Sequence, residues 1–152
     1  MRLLSSHVPG TVLLASWLAR NGISRDLQQY YLKSGWLESY GIGAFKRPNE
    51  KVRWTGALNS LQRKTELPVH VGGLTSISLQ GLSHYVRTDK EPLYLFSPQY
   101  VKLPKWFLIQ EWSNQIIHIR SKFLPSNLAL IDYSLETWKL KISSPERALL
   151  EC

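Results

Sequence analysis

Residues 22–47, GISRDLQQYYLKSGWLESYGIGAFKR, decide the fold of this 152-residue chain. Ser24 is a suitable N-cap for a helix that runs to about Ser34, where a glycine stops it. Two short runs around the Gly-Ile-Gly turn at 41–43 then have the alternation of a β-hairpin, which spans residues 36–47. This stretch therefore predicts a helix followed at once by a hairpin with a basic second arm.

The residues before this stretch predict a second, shorter helix. We expect a helix over 10–22, N-capped by Thr11 and ended by the Asn-Gly pair at 21–22. Two short helices joined by a tight turn form the helix-turn-helix pattern, and the hairpin extends it to a winged helix. The first helix of the usual three then has to come from residues 1–8.

The helix from Ser24 to Ser34 is expected to bury Leu27 and Tyr31, which are four residues apart and face the same way as Ile23. The polar positions on the rest of its surface are then Arg25, Gln28, Gln29 and Lys33.

The rest of the chain predicts a mixed architecture. A helix is expected over 52–65, with Lys64 outside its apolar stripe, then a strand at 69–71 and a helix at 75–81. Beyond residue 87 the expected strands, separated by prolines, cover 93–96, 106–109, 115–120, 128–131 and 137–142. Ser144, Pro145 and Glu146 together are helix-start signals.

We therefore predict an α+β protein in three parts. An N-terminal winged helix-turn-helix DNA-binding domain occupies 1–65, a bridging strand and helix segment 66–87, and a mixed, β-rich C-terminal module 88–152.

Positive charge is concentrated in the first part. Residues 1–65 hold ten Lys and Arg against three acidic residues, a net charge of +7, whereas residues 66–152 carry only +1. A cationic module beside a nearly neutral one favours a polyanionic partner, most simply nucleic acid.

The helix from Ser24 to Ser34 is the expected recognition helix. Arg25 suits the guanine edge, and Gln28 or Gln29 suits adenine, because each can form two hydrogen bonds there. Phosphate contacts are expected from Lys33, Lys46 and Arg47, and hydroxyl contacts from Thr11 and Ser16. The candidate DNA-binding residues are thus Ser24, Arg25, Gln28, Gln29, Lys33, Lys46 and Arg47.

Patterns typical of enzymes are weak in comparison. The histidines at 7, 70, 84 and 118 lack metal-ligand spacing, and there is no phosphate-binding loop, dinucleotide-binding glycine pattern or nucleophile elbow. We predict no catalytic residue, no cofactor and no metal site. It stays open whether His70 and His84, which flank a glycine-rich turn, do more than support the structure.

Two alternative functions remain. One is a protein-interaction module, in which the neutral half docks a toxin or another partner and the basic half is incidental. The other is a nuclease-like enzyme that uses Asp132, Glu136 and Lys139.

Composition indicates the compartment. The single cysteine, Cys152, excludes a disulfide framework and suits a reducing cytoplasm. No apolar run reaches the length of a membrane span, and no signal peptide is evident, so we expect a cytoplasmic protein without a membrane partner.

Four motifs resemble the AbiE-type antitoxins, the AbiEi-family transcriptional regulators of bacterial type IV toxin–antitoxin (abortive infection) systems. They are residues 22–47, WTGALNSLQ, LPVHVGGLTSISLQGLSHY and SSPERALLE. The resemblance covers most of the chain, from about Gly10 to Glu151. Members of this family are usually longer, so the resemblance also predicts that the chain ends inside the C-terminal antitoxin domain.

The resemblance implies a transcriptional autorepressor. Its winged helix would bind double-stranded operator DNA, an inverted repeat upstream of its own gene, with two copies on each operator. The C-terminal domain would provide antitoxin activity against a nucleotidyltransferase-like toxin encoded beside it. Carried onto this sequence, the recognition helix is 24–34, the wing is 36–47, and the DNA contacts include Arg25, Gln28, Lys33, Lys46 and Arg47.

Overall fold

The computed structural model describes residues 7–81, 91–112, 114–121, 125, 128–135 and 138–152. It divides into two compact units: Met1–Glu66 with Leu103–Gln110, and Leu67–Lys102 with Glu111–Cys152. The expected N-terminal helix at 1–8, His84 and Glu136 lie wholly or largely outside the described residues.

The first unit contains a helix-turn-helix and a three-stranded sheet. Its elements in chain order are β1 (Leu13–Leu14), α1 (Ala15–Arg20), α2 (Arg25–Lys33), β2 (Glu38–Gly41), β3 (Ala44–Lys46), α3 (Trp54–Lys64) and, from the later insertion, α5 (Lys105–Leu108). The sheet order is β1-β3-β2, and both pairings are antiparallel. The winged helix-turn-helix prediction is confirmed at the level of these elements.

Apolar side chains from the helices, the turn and the sheet form one core in this unit. Its buried members are Leu13, Leu18, Ile23, Tyr31, Leu37 and Phe45. Because both helices and the hairpin contribute to one core, the orientation of α2 against the sheet is set by packing.

The expected helix over 10–22 is partly wrong. Leu13 and Leu14 form strand β1 instead, since they pair with Phe45 and Ala44 of β3. Thr11 does not cap the helix, because it is buried and its hydroxyl donates a hydrogen bond to Val8 O at 2.6 Å. Long-range strand pairing here overrides local helical periodicity.

The second unit is built on a mixed five-stranded sheet. Its elements are β4 (His70–Val71), α4 (Gly73–Leu79), β5 (Leu93–Ser97), β6 (Ile116–Arg120), β7 (Leu130–Leu135), β8 (Trp138–Ser143) and α6 (Pro145–Glu151). The strand order is β6-β5-β4-β8-β7, and helices α4 and α6 pack against each other. Residues 67–81, expected to be a bridge, thus supply the central strand and one helix of this unit.

One expected strand is wrong. Residues 106–109 lie in and just after α5, which follows Pro104 and belongs to the first unit. Trp106 and Phe107 are adjacent in sequence and both buried. Successive side chains of a strand point to opposite faces, so a one-turn helix suits this double burial better.

Candidate nucleic-acid interface

Helix α2 begins where the sequence predicts. The hydroxyl of Ser24 accepts a hydrogen bond from Leu27 N at 3.2 Å and so caps the helix. Asp26 lies in the first turn and Lys33 in the last, where their charges complement the helix dipole. Helix α2 is therefore stabilised by its own N-cap residue and by charged residues of its own sequence.

The buried face of α2 differs from the expected one. Gln28 is only 4% exposed, whereas Leu27 is 36% exposed. The amide nitrogen of Gln28 donates hydrogen bonds to Ala15 O at 3.2 Å and Ile23 O at 3.0 Å. The surface position expected for Gln28 is wrong, because its amide satisfies two carbonyl groups of the helix-turn-helix, and it is not available as a DNA contact.

The outward face of α2 carries the other predicted residues. Arg25, Gln29 and Lys33 are all exposed. The same face also presents Asp26 and Tyr30, of which Tyr30 is 62% exposed. The sequence analysis missed Asp26 and Tyr30 as interface residues, because it considered only the side chains that usually contact bases or phosphates.

The hairpin positions the two predicted basic residues of the wing. Lys46 Nζ lies 2.7 Å from Glu38 Oε2 and donates to Glu50 O at 3.0 Å. Arg47 is half-buried and has a partner within the protein. Ile42 at the tip of the turn is 83% exposed. The wing is therefore a β-ribbon with cations at its base and an apolar tip.

Helix α5 braces the wing from within the same unit. Gln110, just beyond it, donates from its side-chain nitrogen to Tyr40 O at 2.8 Å, and the Tyr40 and Trp106 rings are 6.1 Å apart. Burial raises the pKa of Tyr40 to about 12. A Cβ at Gly41 would lie 2.7 Å from the Cβ of Trp106, so only glycine fits against α5.

Helix α3 supports the start of the helix-turn-helix. Lys64, expected outside the apolar stripe, instead donates to Val12 O at 2.7 Å and lies 4.9 Å above the Trp17 ring. Its burial lowers the pKa of Lys64 to about 8. Ser60 Oγ accepts from Val12 N at 2.8 Å.

The hydroxyl contact with DNA that the sequence predicts for Thr11 is wrong, since the Thr11 side chain is buried. Ser16, the other residue expected to provide such a contact, is exposed.

The second unit contains a buried charged cluster, which we call the Glu151 cluster. Glu151 accepts hydrogen bonds from His70 Nε2 (2.8 Å), Arg147 Nε (3.1 Å), Ser143 Oγ (2.6 Å) and Gly73 N (3.0 Å). Burial alone would raise the pKa of Glu151, but the hydrogen bonds from His70 and Ser143 lower it to about 2. The His70 and Glu151 side chains are each only 4% exposed, so the cluster holds the fold together and offers no open site.

Of the residues of the enzyme alternative, Asp132 lies on strand β7 and Lys139 on strand β8, and Glu136 lies outside the described residues. Asp132, on strand β7, forms an exposed ion pair with Lys141 at 3.1 Å. Among the described residues there is no group of three or more metal-ligating side chains. No helix in the described ranges is long and apolar enough to cross a bilayer.

Comparisons with known proteins cover both units. Residues 1–88 match the family model described as the transcriptional regulator, AbiEi antitoxin N-terminal domain. Residues 90–152 match the model described as transcriptional regulator, AbiEi antitoxin, type IV toxin–antitoxin system. No curated protein sequence matches the chain.

A solved structure is similar in part. The RV2827C protein from Mycobacterium tuberculosis is 15% identical and covers 79% of this chain, with a TM-score of 0.48. The chain spans 43% of the length of that protein.

Proposed function

Because the chain belongs to the AbiEi antitoxin family of transcriptional regulators of type IV toxin–antitoxin systems, we propose that it is a sequence-specific DNA-binding autorepressor. In this proposal it binds an inverted repeat upstream of its own gene, in the cytoplasm, with one copy on each half-site. Its functional partner is a nucleotidyltransferase-like toxin, and the chain acts as the antitoxin. The toxin part of the proposal is supported by the family alone.

The observation that carries the DNA part is the two-sided character of α2. One side of α2, with Gln28 and Tyr31, is buried within the first unit. The other side presents Arg25, Gln29 and Lys33 to solvent. A helix held by its inner face and exposed on its outer face is what insertion into the major groove requires. We propose that Arg25 and Gln29 contact base edges there, and that Ser24, at the N-cap position of α2, is also a DNA contact.

The basic residues around α2 support the proposal electrostatically. Lys33, Lys46 and Arg47 belong to the unit whose sequence carries the net charge of +7. If each copy neutralises about four phosphates, the affinity falls about 100-fold between 50 and 200 mM salt. This dependence follows from counterion release, and it is absent when a protein binds through a neutral surface.

A fluorescence-anisotropy titration tests the proposal. The full chain is titrated at two salt concentrations against duplex DNA from upstream of its own gene, with a scrambled duplex of equal composition as control. The proposal predicts tight, salt-sensitive binding that prefers the upstream duplex. Equal binding to both duplexes, or none, would contradict it and favour the protein-interaction alternative.

A further inference from the structure

One of the two most outward positions on α2 is held by an acid, Asp26. Side chains of an α-helix are spaced by about 100° per residue, which places Asp26 about 160° from Gln28 and about 140° from Tyr31. Those two residues define the buried face of the helix. Asp26 and Lys33 therefore lie at the centre of the exposed face, while Arg25 is closer to its edge.

The fold itself makes little use of this carboxylate. The N-cap position of α2 is already occupied by the Ser24 hydroxyl. Among the described residues, Asp26 has no hydrogen-bond or ion-pair partner, although Arg25 is its neighbour in sequence. Its interaction with the helix dipole is a weak one, and any acid in the first turn provides it.

A carboxylate at this position is costly for general DNA binding. It repels the phosphate backbone, and within the first unit it offsets the charge of one of the cations on the same helix. A residue that weakens binding to every duplex is useful only if a particular base pair compensates for it. The position therefore points to selectivity rather than to affinity.

The chemistry of an ionised carboxylate narrows the choice of base. It only accepts hydrogen bonds. In the major groove guanine presents two acceptors, thymine an acceptor and a methyl group, and adenine an acceptor beside its amino group. Cytosine alone presents an amino donor without a neighbouring acceptor.

We propose that Asp26 is a specificity-determining residue, whose carboxylate accepts a hydrogen bond from the N4 amino group of a cytosine in the major groove and disfavours other bases there. This inference rests on the proposed function, because it requires α2 to lie in that groove. It assigns Asp26 a role different from that of Lys33, Lys46 and Arg47, which are expected to contact phosphates.

The test compares base preference between the parent chain and Asp26→Asn. Duplexes from upstream of the gene are substituted one base pair at a time, and each affinity is measured by anisotropy competition. The parent is expected to lose about tenfold in affinity when one particular cytosine is replaced, as for a specific base contact. Asp26→Asn should shift this preference from cytosine towards adenine, because an amide both donates and accepts hydrogen bonds, and it should bind the scrambled duplex more tightly than the parent does.

Glu66→Gln is the matched control, since it removes one exposed negative charge from the same unit. It should leave the cytosine preference intact. Far-UV circular dichroism of Asp26→Asn should match the parent, which separates a specificity role from a structural one.

The outcomes distinguish the two proposals. If the parent prefers the upstream duplex but Asp26→Asn retains the same preference at every base pair, the role of Asp26 is wrong and the proposed function stands. A gain in scrambled-duplex binding that is equal in Glu66→Gln would reduce Asp26 to a general charge and also overturn the inference. If the parent shows no sequence preference, both proposals fail.

Discussion

Replacing Glu151 by glutamine removes the centre of the Glu151 cluster while keeping the size of the side chain. The carboxylate accepts four hydrogen bonds, from His70, Arg147, Ser143 and the backbone of Gly73. A glutamine amide offers one acceptor oxygen, and its NH₂ group faces donors where the second oxygen was. We expect the second unit to be strongly destabilised.

Two routes give the size of this effect. A pKa lowered from 4.5 to about 2 corresponds to roughly 3 kcal/mol of free energy of unfolding. Removing one partner of a buried ion pair costs about 3–5 kcal/mol, because the remaining charge stays desolvated. Arg147 keeps the carbonyl oxygens of Pro125 and Leu128 as acceptors. We therefore expect the lower end of that range, about 3 kcal/mol.

Urea unfolding at neutral pH, followed by far-UV circular dichroism, measures the change. Glu146→Gln is the control, since Glu146 is an exposed acid in the first turn of the same helix and its loss should cost less than about 1 kcal/mol. Equal unfolding midpoints for the two variants would refute the role given to the cluster.

The pH dependence provides a second check on the same residue. The pKa of Glu151 is lower in the folded state than in the unfolded state, so the unfolded chain binds the proton first as the pH falls. The contribution of the carboxylate is complete above about pH 5 and is lost progressively towards pH 2. The difference in unfolding free energy between the parent and Glu151→Gln should therefore shrink over this range, and a constant difference would contradict the argument.

Three further changes test the first unit. Gln28→Met leaves two carbonyl groups without their donor and should lower the free energy of unfolding by about 1–3 kcal/mol. In the same urea titration, Gln29→Met, at an exposed position, should change the free energy of unfolding by less than about 0.5 kcal/mol. Equal effects of the two variants would show that the Gln28 amide is not needed for stability. Gly41→Ala places a Cβ 2.7 Å from a tryptophan side chain, whereas at Gly43, also in the left-handed region, no atom lies within 4 Å. Gly41→Ala should therefore weaken binding to the upstream duplex more than Gly43→Ala does, and the reverse order would contradict the bracing of the wing. Lys46→Ala should weaken binding to upstream and scrambled duplexes alike and reduce the salt slope by about one; an effect on one duplex only would assign Lys46 to base recognition instead.

The elements that sequence predicts correctly are those whose signals are local. Ser24 and Ser144 each cap a helix through a hydrogen bond to a backbone N–H three residues on. The hairpin follows from the glycines at 41 and 43, which both adopt positive φ. Such signals act within a few residues, so they are readable without knowledge of the tertiary structure.

The errors arise where distant residues decide the conformation. Strand β1 exists because Leu13 pairs with Phe45, and helix α5 lies in a segment, 103–110, that joins a unit whose remaining residues all precede position 67. His70 and Glu151 are 81 residues apart, and nothing near either one in sequence indicates the pairing. Periodicity cannot detect interactions of this range.

The candidate interface was partly predictable. The capped helix identified Arg25, Gln29 and Lys33 as exposed positions. The sequence predicts Gln28 on the surface, because glutamine is usually exposed. Only the structure shows that the Gln28 amide is buried and donates to two backbone carbonyl groups. Asp26 becomes visible as a surface feature once the buried side of the helix is known.

The most direct test of the central claim is a triple variant of α2 in which Arg25, Gln29 and Lys33 are all replaced by alanine. Its matched control replaces the exposed cations Lys102 and Arg120, so that both variants lose the same charge. Binding to upstream and scrambled duplexes is compared by anisotropy at a single salt concentration. The account predicts that the α2 variant loses its preference for the upstream duplex and that the control keeps it. An α2 variant that retains the full preference would contradict recognition through this helix.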